Sequence, residues 1–127
     1  MRAWVVEDND QNFELVDFLL SEAGWEVARA SSGAQLRELA TESADSAAPD
    51  VVLLDMNLPD ALGLDLVREL RARPALAALP VIAVTAHAMR GDRERCLAAG
   101  CDGYLSKPID PATFAAEVAS AVRKGER

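Results

Sequence analysis

Polar side chains follow several short apolar runs of this sequence, and the acidic ones among them could bind a divalent cation. The acidic ones are Glu7, Asp8 and Asp55, and the others are Thr85 and Lys107. Carboxylates that meet at one place repel each other unless positive charge compensates them. Lys107 supplies one such charge, and Mg²⁺, which prefers oxygen ligands, would supply the rest. Taken singly, each acid is better explained as a loop cap, but a converging set predicts a cation site.

The apolar runs alternate with amphipathic segments, which predicts a repeated βα unit. Strands are expected over residues 3–6, 25–30, 51–54, 81–84 and 104–105, and helices over 10–23, 32–41, 64–72, 90–99 and 111–122. The third run is continuously apolar, as expected of a parallel strand covered by helices on both faces. Of the two common orders, 2-1-3-4-5 is expected, giving an α/β, doubly wound, flavodoxin-like parallel sheet. In that order the carboxyl ends of strands 1 and 3 are neighbours, which brings the acids together.

Length, charge and cysteine content exclude several classes of function. The 127 residues predict one domain spanning 1–127. The net charge of −8 argues against direct nucleic-acid binding and against an anionic membrane surface. No apolar run is long enough for a membrane span and the N-terminus is no signal peptide, so a cytoplasmic location is expected. Cys96 and Cys101, with one histidine in the chain, cannot form a Cys/His zinc site.

Four segments around these polar residues carry a family resemblance. They are residues 5–9 (VVEDN), 53–60 (LLDMNLPD) with Gly63, 85–86 (TA) and 104–108 (YLSKP). Over essentially its whole length the chain resembles the receiver domains of two-component response regulators. The resemblance implies that the protein receives a phosphoryl group from a histidine kinase or a histidine phosphotransfer protein and signals to a downstream protein target.

The resemblance assigns the chemistry to the acidic positions. Asp55 would be the phosphoacceptor. Mg²⁺ would be bound by Asp8, Asp55 and the main-chain carbonyl of Asn57, with Glu7 acting partly through a bound water. The chain would thereby catalyse its own phosphorylation and dephosphorylation, although its main role would be that of a signalling switch.

The resemblance also implies a switch that involves the last two strands. Lys107 would pair with Asp55 before phosphorylation and with a phosphoryl oxygen afterwards. The Thr85 hydroxyl would reach toward the phosphoryl group, and Tyr104 would follow it inward. That movement would change the surface formed by helix 4, strand 5 and helix 5. A cis peptide bond between Lys107 and Pro108 is also implied.

Two further sets of residues surround this site. Asn57 and His87 lie two positions beyond Asp55 and Thr85, where the resemblance implies that they flank the path of the hydrolytic water and tune the phosphoryl lifetime. A partner's phosphohistidine must come within attack distance of Asp55, so docking is expected on helix 1 and on the loop after strand 5. The expected docking residues are Asn9, Gln11, Asn12, Leu15, Pro108 and Ile109.

Other interpretations of the same pattern make different demands. A flavodoxin-like binder would need a phosphate-binding loop where residues 7–10 are EDND, which would repel a phosphate. A phosphatase of the haloacid dehalogenase type would need an aspartate where Asn57 stands. A degenerate receiver that only binds partners would lack one of the site residues that carry the resemblance, and none is missing.

The chain would be either free-standing, as Met1 favours, or the receiver segment of a hybrid histidine kinase.

Overall fold

Five parallel strands form one sheet in the order β2-β1-β3-β4-β5 in a computed structural model that describes residues 1–42, 48–86 and 91–125. The strands are β1 (Arg2–Val6), β2 (Glu26–Ala30), β3 (Val51–Asp55), β4 (Val81–Thr85) and β5 (Gly103–Ser106). The helices are α1 (Asp10–Glu22), α2 (Gly33–Glu42), α3 (Gly63–Ala72), α4 (Asp92–Ala99) and α5 (Phe114–Gly125), and a 3-10 helix spans Pro74–Leu76. The predicted α/β fold and strand order are confirmed.

Helices cover both faces of the sheet and bury its central strands. Every residue of β3 and of β4 is buried, as continuous apolar strands in a parallel sheet require. Alternate side chains enter two separate clusters. Leu54 packs in one cluster with residues of α2, α3 and α4, whereas Leu53 packs in the other with residues of α1 and α5. Because all the strands run parallel, their carboxyl ends lie along one edge of the sheet.

The helix boundaries differ from the sequence-based expectation at one clear point. The predicted start of the fifth helix at Pro111 is wrong, because α5 begins at Phe114. The Asp110 carboxylate accepts a hydrogen bond from the backbone N–H of Ala112 at 2.9 Å, so residues 111–113 form a turn before the helix. The predicted start of the fourth helix, at residue 90, lies outside the described residues. Within the described ranges, no helix combines the length and the apolar character needed to cross a membrane.

Two contacts hold the segment between β3 and α3 against the edge of the sheet. The N–H of Gly63 donates to the carbonyl of Met56 at 3.0 Å. A Cβ at position 63 would lie 2.7 Å from the Met56 Cα, so only glycine fits this close approach. The Asp60 carboxylate accepts a hydrogen bond from the N–H of Gly33 at 2.8 Å, at the start of α2. These contacts fix the loop that comes after the carboxyl end of β3.

Candidate functional site

Three carboxylates cluster where β1 and β3 end side by side. One oxygen from each of Glu7, Asp8 and Asp55 lies within 4.8 Å of the other two. Glu7 and Asp55 are only 5% and 6% exposed, whereas Asp8 is exposed. The strand register explains the arrangement, because Val6 of β1 pairs with Leu54 of β3 and the acids come directly after this pair. The structure thus brings together the three acids that the sequence predicts to meet.

Lys107 bridges two of these carboxylates. Its Nζ donates to Glu7 Oε1 at 2.7 Å and to Asp55 Oδ2 at 3.4 Å. The sequence-based expectation named only Asp55 as the partner, whereas the Glu7 carboxylate lies closer to the ammonium group. Burial alone would lower the pKa of Lys107, but the hydrogen bonds and negative charges of Glu7 and Asp55 outweigh burial and raise it. Lys107 therefore stays protonated and compensates part of the acidic charge.

The backbone around Lys107 ties the ends of β4 and β5 together. The N–H of Lys107 donates to the carbonyl of Thr85 at 2.8 Å. Thr85 in turn pairs with Ser106 in the parallel register of the two strands. The next peptide bond, Lys107–Pro108, is cis, as the resemblance implied. The position of the ammonium group is thereby linked to the backbone of Thr85.

The donor set around Asp55 fits a hard divalent cation. Asp55 Oδ1 accepts a hydrogen bond from the backbone N–H of Asn57 at 3.1 Å, and Oδ2 faces Lys107. The clustered groups are carboxylates only, and carboxylate oxygens suit Mg²⁺ better than they suit the softer metals that prefer thiolates or imidazoles. One lysine does not balance three carboxylates, so a divalent cation would complete the compensation.

A cavity of about 330 Å³ is lined by residues of α4, by the segment between β3 and α3, and by residues of β4 and β5. Thr85, which is 3% exposed, and the half-buried Tyr104 both line it. The pKa of the Tyr104 hydroxyl is raised, first by burial and then by the negative charge of Asp92. The exposed Asn57 also lines the cavity, whereas His87, its predicted companion, lies outside the described residues. Thr85 and Tyr104 therefore adjoin a space into which a side chain could move.

The predicted docking residues lie at the start of α1 and in the loop after β5. Four of them are exposed and two are half-buried: Asn9, Gln11, Leu15 and Pro108 in the first group, Asn12 and Ile109 in the second. The side chain of Asn9 caps α1 by accepting a hydrogen bond from the N–H of Asn12 at 2.9 Å. Leu15 is 36% exposed, and Phe18, three residues further along the same helix, is 62% exposed.

Sequence reasoning did not single out Phe18 or Arg29. Phe18 lies away from the apolar stripe of α1, whose buried members are Val16 and Leu20, so the helical periodicity indicates its exposure, although sequence reasoning assigned it no role. Arg29 at the end of β2 donates hydrogen bonds to the carbonyls of Glu7 and Asp8, next to the acidic cluster. A single arginine in a short strand carries no sign of such backbone contacts.

Comparisons with known proteins agree with this architecture. A family model described as the response regulator receiver domain matches residues 3–119. The polar-differentiation response regulator DivK of Brucella ovis is 42% identical over 110 residues, which cover 87% of this chain and 86% of the relative. The receiver domain of a sensor histidine kinase from Pseudomonas aeruginosa, solved with a magnesium ion coordinated in its active site cleft, is 34% identical with a TM-score of 0.81, covering 96% and 97% of the two chains. A receiver domain protein from Clostridium thermocellum has a TM-score of 0.85 at 27% identity, covering 98% and 96%.

The charge compensation by Lys107 predicts the stability of a variant that lacks it. In a buffer with a chelator, Lys107→Met should lower the free energy of unfolding by about 3 kcal/mol, because a buried carboxylate loses its partner. Millimolar MgCl₂ should raise the free energy of unfolding of the variant more than that of the wild type, because the cation replaces the missing charge. Urea unfolding followed by tryptophan fluorescence measures both effects.

The matched control is Arg68→Met, which removes an exposed ion pair with Asp65 whose charged atoms are 3.6 Å apart. Its expected cost is below about 1 kcal/mol. A Lys107→Met protein as stable as the wild type in chelator would contradict the idea that the carboxylates depend on Lys107.

Proposed function

This chain belongs to the response regulator receiver family, and on that premise we propose that it accepts a phosphoryl group on Asp55. The observation that carries the proposal is the position of the Asp55 carboxylate, which is buried, 3.4 Å from Lys107 Nζ and grouped with Glu7 and Asp8. A carboxylate can act as the nucleophile in such a transfer. Phosphoryl transfer depends on positioning and on neutralisation of charge more than on covalent help. The donor is a phosphohistidine of a histidine kinase or a histidine phosphotransfer protein.

Three groups of this chain would hold Mg²⁺: the carboxylates of Asp8 and Asp55 and the main-chain carbonyl of Asn57. Glu7 would support the ion partly through a bound water. When bound, the ion neutralises charge on the transferring phosphoryl oxygens. This assignment is supported by the all-oxygen donor set and by the excess of acidic charge over the single ammonium group of Lys107.

The transfer itself proceeds between Asp55 and the donor histidine. One carboxylate oxygen of Asp55 attacks phosphorus, the phosphorus–nitrogen bond breaks as the phosphorus–oxygen bond forms, and the imidazole leaves with the electron pair. Lys107 then moves from Glu7 to a phosphoryl oxygen, where its charge offsets the added negative charge. Hydrolysis transfers the phosphoryl group from Asp55 to water, releases inorganic phosphate and returns Asp55 to its free form, and we assign the tuning of its rate to Asn57 and His87. The protein takes part in this chemistry chiefly as a signalling switch.

Thr85 and Tyr104 convert the phosphoryl group into a change of surface. The loaded state is favoured only by the contacts that the phosphoryl group adds, here to the Thr85 hydroxyl and the Lys107 ammonium. Each charge-assisted hydrogen bond contributes roughly 1.5–3 kcal/mol. The Lys107 contact replaces its present hydrogen bond to Glu7, so the net gain comes chiefly from the Thr85 contact and is up to about half of the ~5.5 kcal/mol that turns a 1:99 population into 99:1. Tyr104 then moves inward, and the surface of α4, β5 and α5 is presented to a downstream protein.

Docking of the phosphodonor occurs on the start of α1 and the loop after β5. The supporting observation is the exposed apolar Leu15 on α1, the helix that follows the acidic residues Glu7 and Asp8. A carrier of the helical-bundle type presents an apolar strip that suits Leu15 and the neighbouring loop residues Pro108 and Ile109. Asn9, Gln11 and Asn12 supply the polar rim.

We propose that residues 1–127 form one receiver domain, which acts either alone or within a hybrid histidine kinase.

Replacement of the proposed nucleophile tests the function. Asp55→Asn should reduce the rate of labelling by acetyl phosphate and Mg²⁺ by at least about a hundredfold, because the amide is a far weaker nucleophile than the carboxylate. Intact-protein mass spectrometry measures the added phosphoryl group, and peptide mapping locates it. Asp65→Asn, at an exposed position of α3, is the control and should label normally. Labelling of Asp55→Asn at the wild-type rate would refute the assignment.

Removal of one phosphoryl contact should separate loading from switching. Thr85→Ala should still be labelled on Asp55, but loss of about 1.5–3 kcal/mol should reduce the equilibrium constant for the switched state by about tenfold to a hundredfold. NMR shifts of Tyr104 and its neighbours, with and without beryllofluoride as a phosphoryl mimic, report the change. An identical full shift in the variant and the wild type would mean that coupling does not pass through the Thr85 hydroxyl.

A charge introduced on the docking face should slow phosphoryl transfer from a protein donor but not from a small-molecule donor. Leu15→Lys should slow phosphoryl transfer from a cognate kinase by about tenfold, the effect of losing roughly 1.4 kcal/mol of apolar contact, but should spare labelling by acetyl phosphate. Ala72→Lys, at an exposed position at the end of α3, serves as the matched control. Equal slowing of both routes by Leu15→Lys would show a general structural defect and would contradict the docking assignment.

A further inference from the structure

Arg29, at the end of β2, binds the backbone of the segment that carries two of the acids. Its Nε and Nη2 both donate to the carbonyl oxygen of Glu7 at 3.2 Å, and Nη2 lies 3.4 Å from the carbonyl oxygen of Asp8. Nη2 also donates to Asp10 Oδ1 at 2.8 Å. The guanidinium lies 4.6 Å from the centroid of the Phe13 ring. Residues Asp10 and Phe13 of α1 thus fix the position of the guanidinium group, which in turn binds the backbone between β1 and α1.

Asp8 is the acid of the cluster whose direction depends most on the backbone. It is exposed, unlike Glu7 and Asp55, so little packing restrains its side chain. Its Cα lies between two planar peptide groups, one containing the Glu7 carbonyl and the other containing its own carbonyl. The paired hydrogen bonds from Nε and Nη2 fix the plane that contains the Glu7 carbonyl, and the longer 3.4 Å contact of Nη2 restrains the plane that contains the Asp8 carbonyl. Together they restrict the direction in which the Asp8 side chain leaves the backbone.

The charge of Arg29 is paired outside the acidic cluster. Its salt bridge is with Asp10, whose side chain is 81% exposed, and its other polar contacts are with carbonyl oxygens. A positive charge near a cation site would by itself repel Mg²⁺. An electrostatic role and a positioning role therefore predict opposite effects when the guanidinium is removed.

We propose that Arg29 is a positioning residue that sets the Mg²⁺ affinity of the acidic site by holding Asp8 in the orientation for ligation. This inference rests on the proposed function, because it assumes that Asp8 binds the ion. Groups that orient metal ligands typically change metal affinity by 10–100-fold when removed. The contacts need the planar fork of an arginine, since the single ammonium group of a lysine cannot reproduce its paired geometry.

Calorimetric titration with MgCl₂, in the absence of any phosphodonor, tests the proposal. Arg29→Gln should weaken Mg²⁺ binding by about tenfold or more. Arg29→Lys should also weaken it, although the positive charge is retained. The control Arg2→Gln removes an arginine paired with Glu26 at 3.4 Å, at the opposite end of β1, and should bind Mg²⁺ as the wild type does.

The outcomes separate this inference from the proposed function. If the wild type binds Mg²⁺ and Arg29→Gln binds it equally well or more tightly, the positioning role is overturned while the proposed site stands. If the wild type binds no Mg²⁺, the proposed function fails and the inference fails with it. If Arg29→Gln loses the native circular dichroism spectrum, Arg29→Lys decides by the same titration.

A second readout distinguishes loss of affinity from general damage. At saturating Mg²⁺, labelling of Arg29→Gln by acetyl phosphate should return to within about twofold of the wild-type rate, because Asp55 and Lys107 are unchanged and Asp8 is again occupied. A rate that stays low at every Mg²⁺ concentration would contradict the proposal, since it would mean that Arg29 supports the fold or the transfer step itself.

Discussion

The repulsion among three carboxylates at one sheet edge is the constraint on which the rest of this structure depends. The parallel strand order brings oxygens of Glu7, Asp8 and Asp55 within 4.8 Å of one another, and two of these residues are buried, where solvent screens them little. Lys107 relieves part of the repulsion by bridging Glu7 and Asp55. The charge that remains suits a divalent cation, and this combination of an oriented carboxylate, a lysine and a cation site is what phosphoryl transfer requires.

The same contacts connect the acidic site to β5, the edge strand of the sheet. The backbone of Lys107 is hydrogen-bonded to Thr85, and Thr85 shares a cavity with Tyr104. In the proposed function, a phosphoryl group on Asp55 draws Lys107 away from Glu7 and gives the Thr85 hydroxyl a new partner. In this proposal the inward movement of the Tyr104 side chain requires no new fold. The cavity beside Tyr104 provides the space, and the phosphoryl group only changes which position of the side chain is favoured.

Features that depend on topology and periodicity could be predicted from the sequence, whereas features that depend on individual contacts could not. Alternating strands and helices predicted a parallel sheet with one of two common strand orders, and the expected order 2-1-3-4-5, which is confirmed, brings Glu7 and Asp55 together. The predicted start of α5 at Pro111 was wrong because the Asp110 side chain stabilises a turn, which competes with the first turn of a helix. The shorter distance of Lys107 to Glu7 than to Asp55 and the backbone contacts of Arg29 both depend on residues far apart in the chain. Neither leaves a pattern in the sequence.

A crystal structure of the protein with Mg²⁺ and beryllofluoride would test the central claim most directly. The account predicts beryllium bonded to a carboxylate oxygen of Asp55, Mg²⁺ bound by Asp8 and Asp55, and Lys107 Nζ moved from its position 2.7 Å from Glu7 to contact a fluoride. Beryllofluoride bound elsewhere or absent, with Lys107 still paired to Glu7 under saturating conditions, would contradict it.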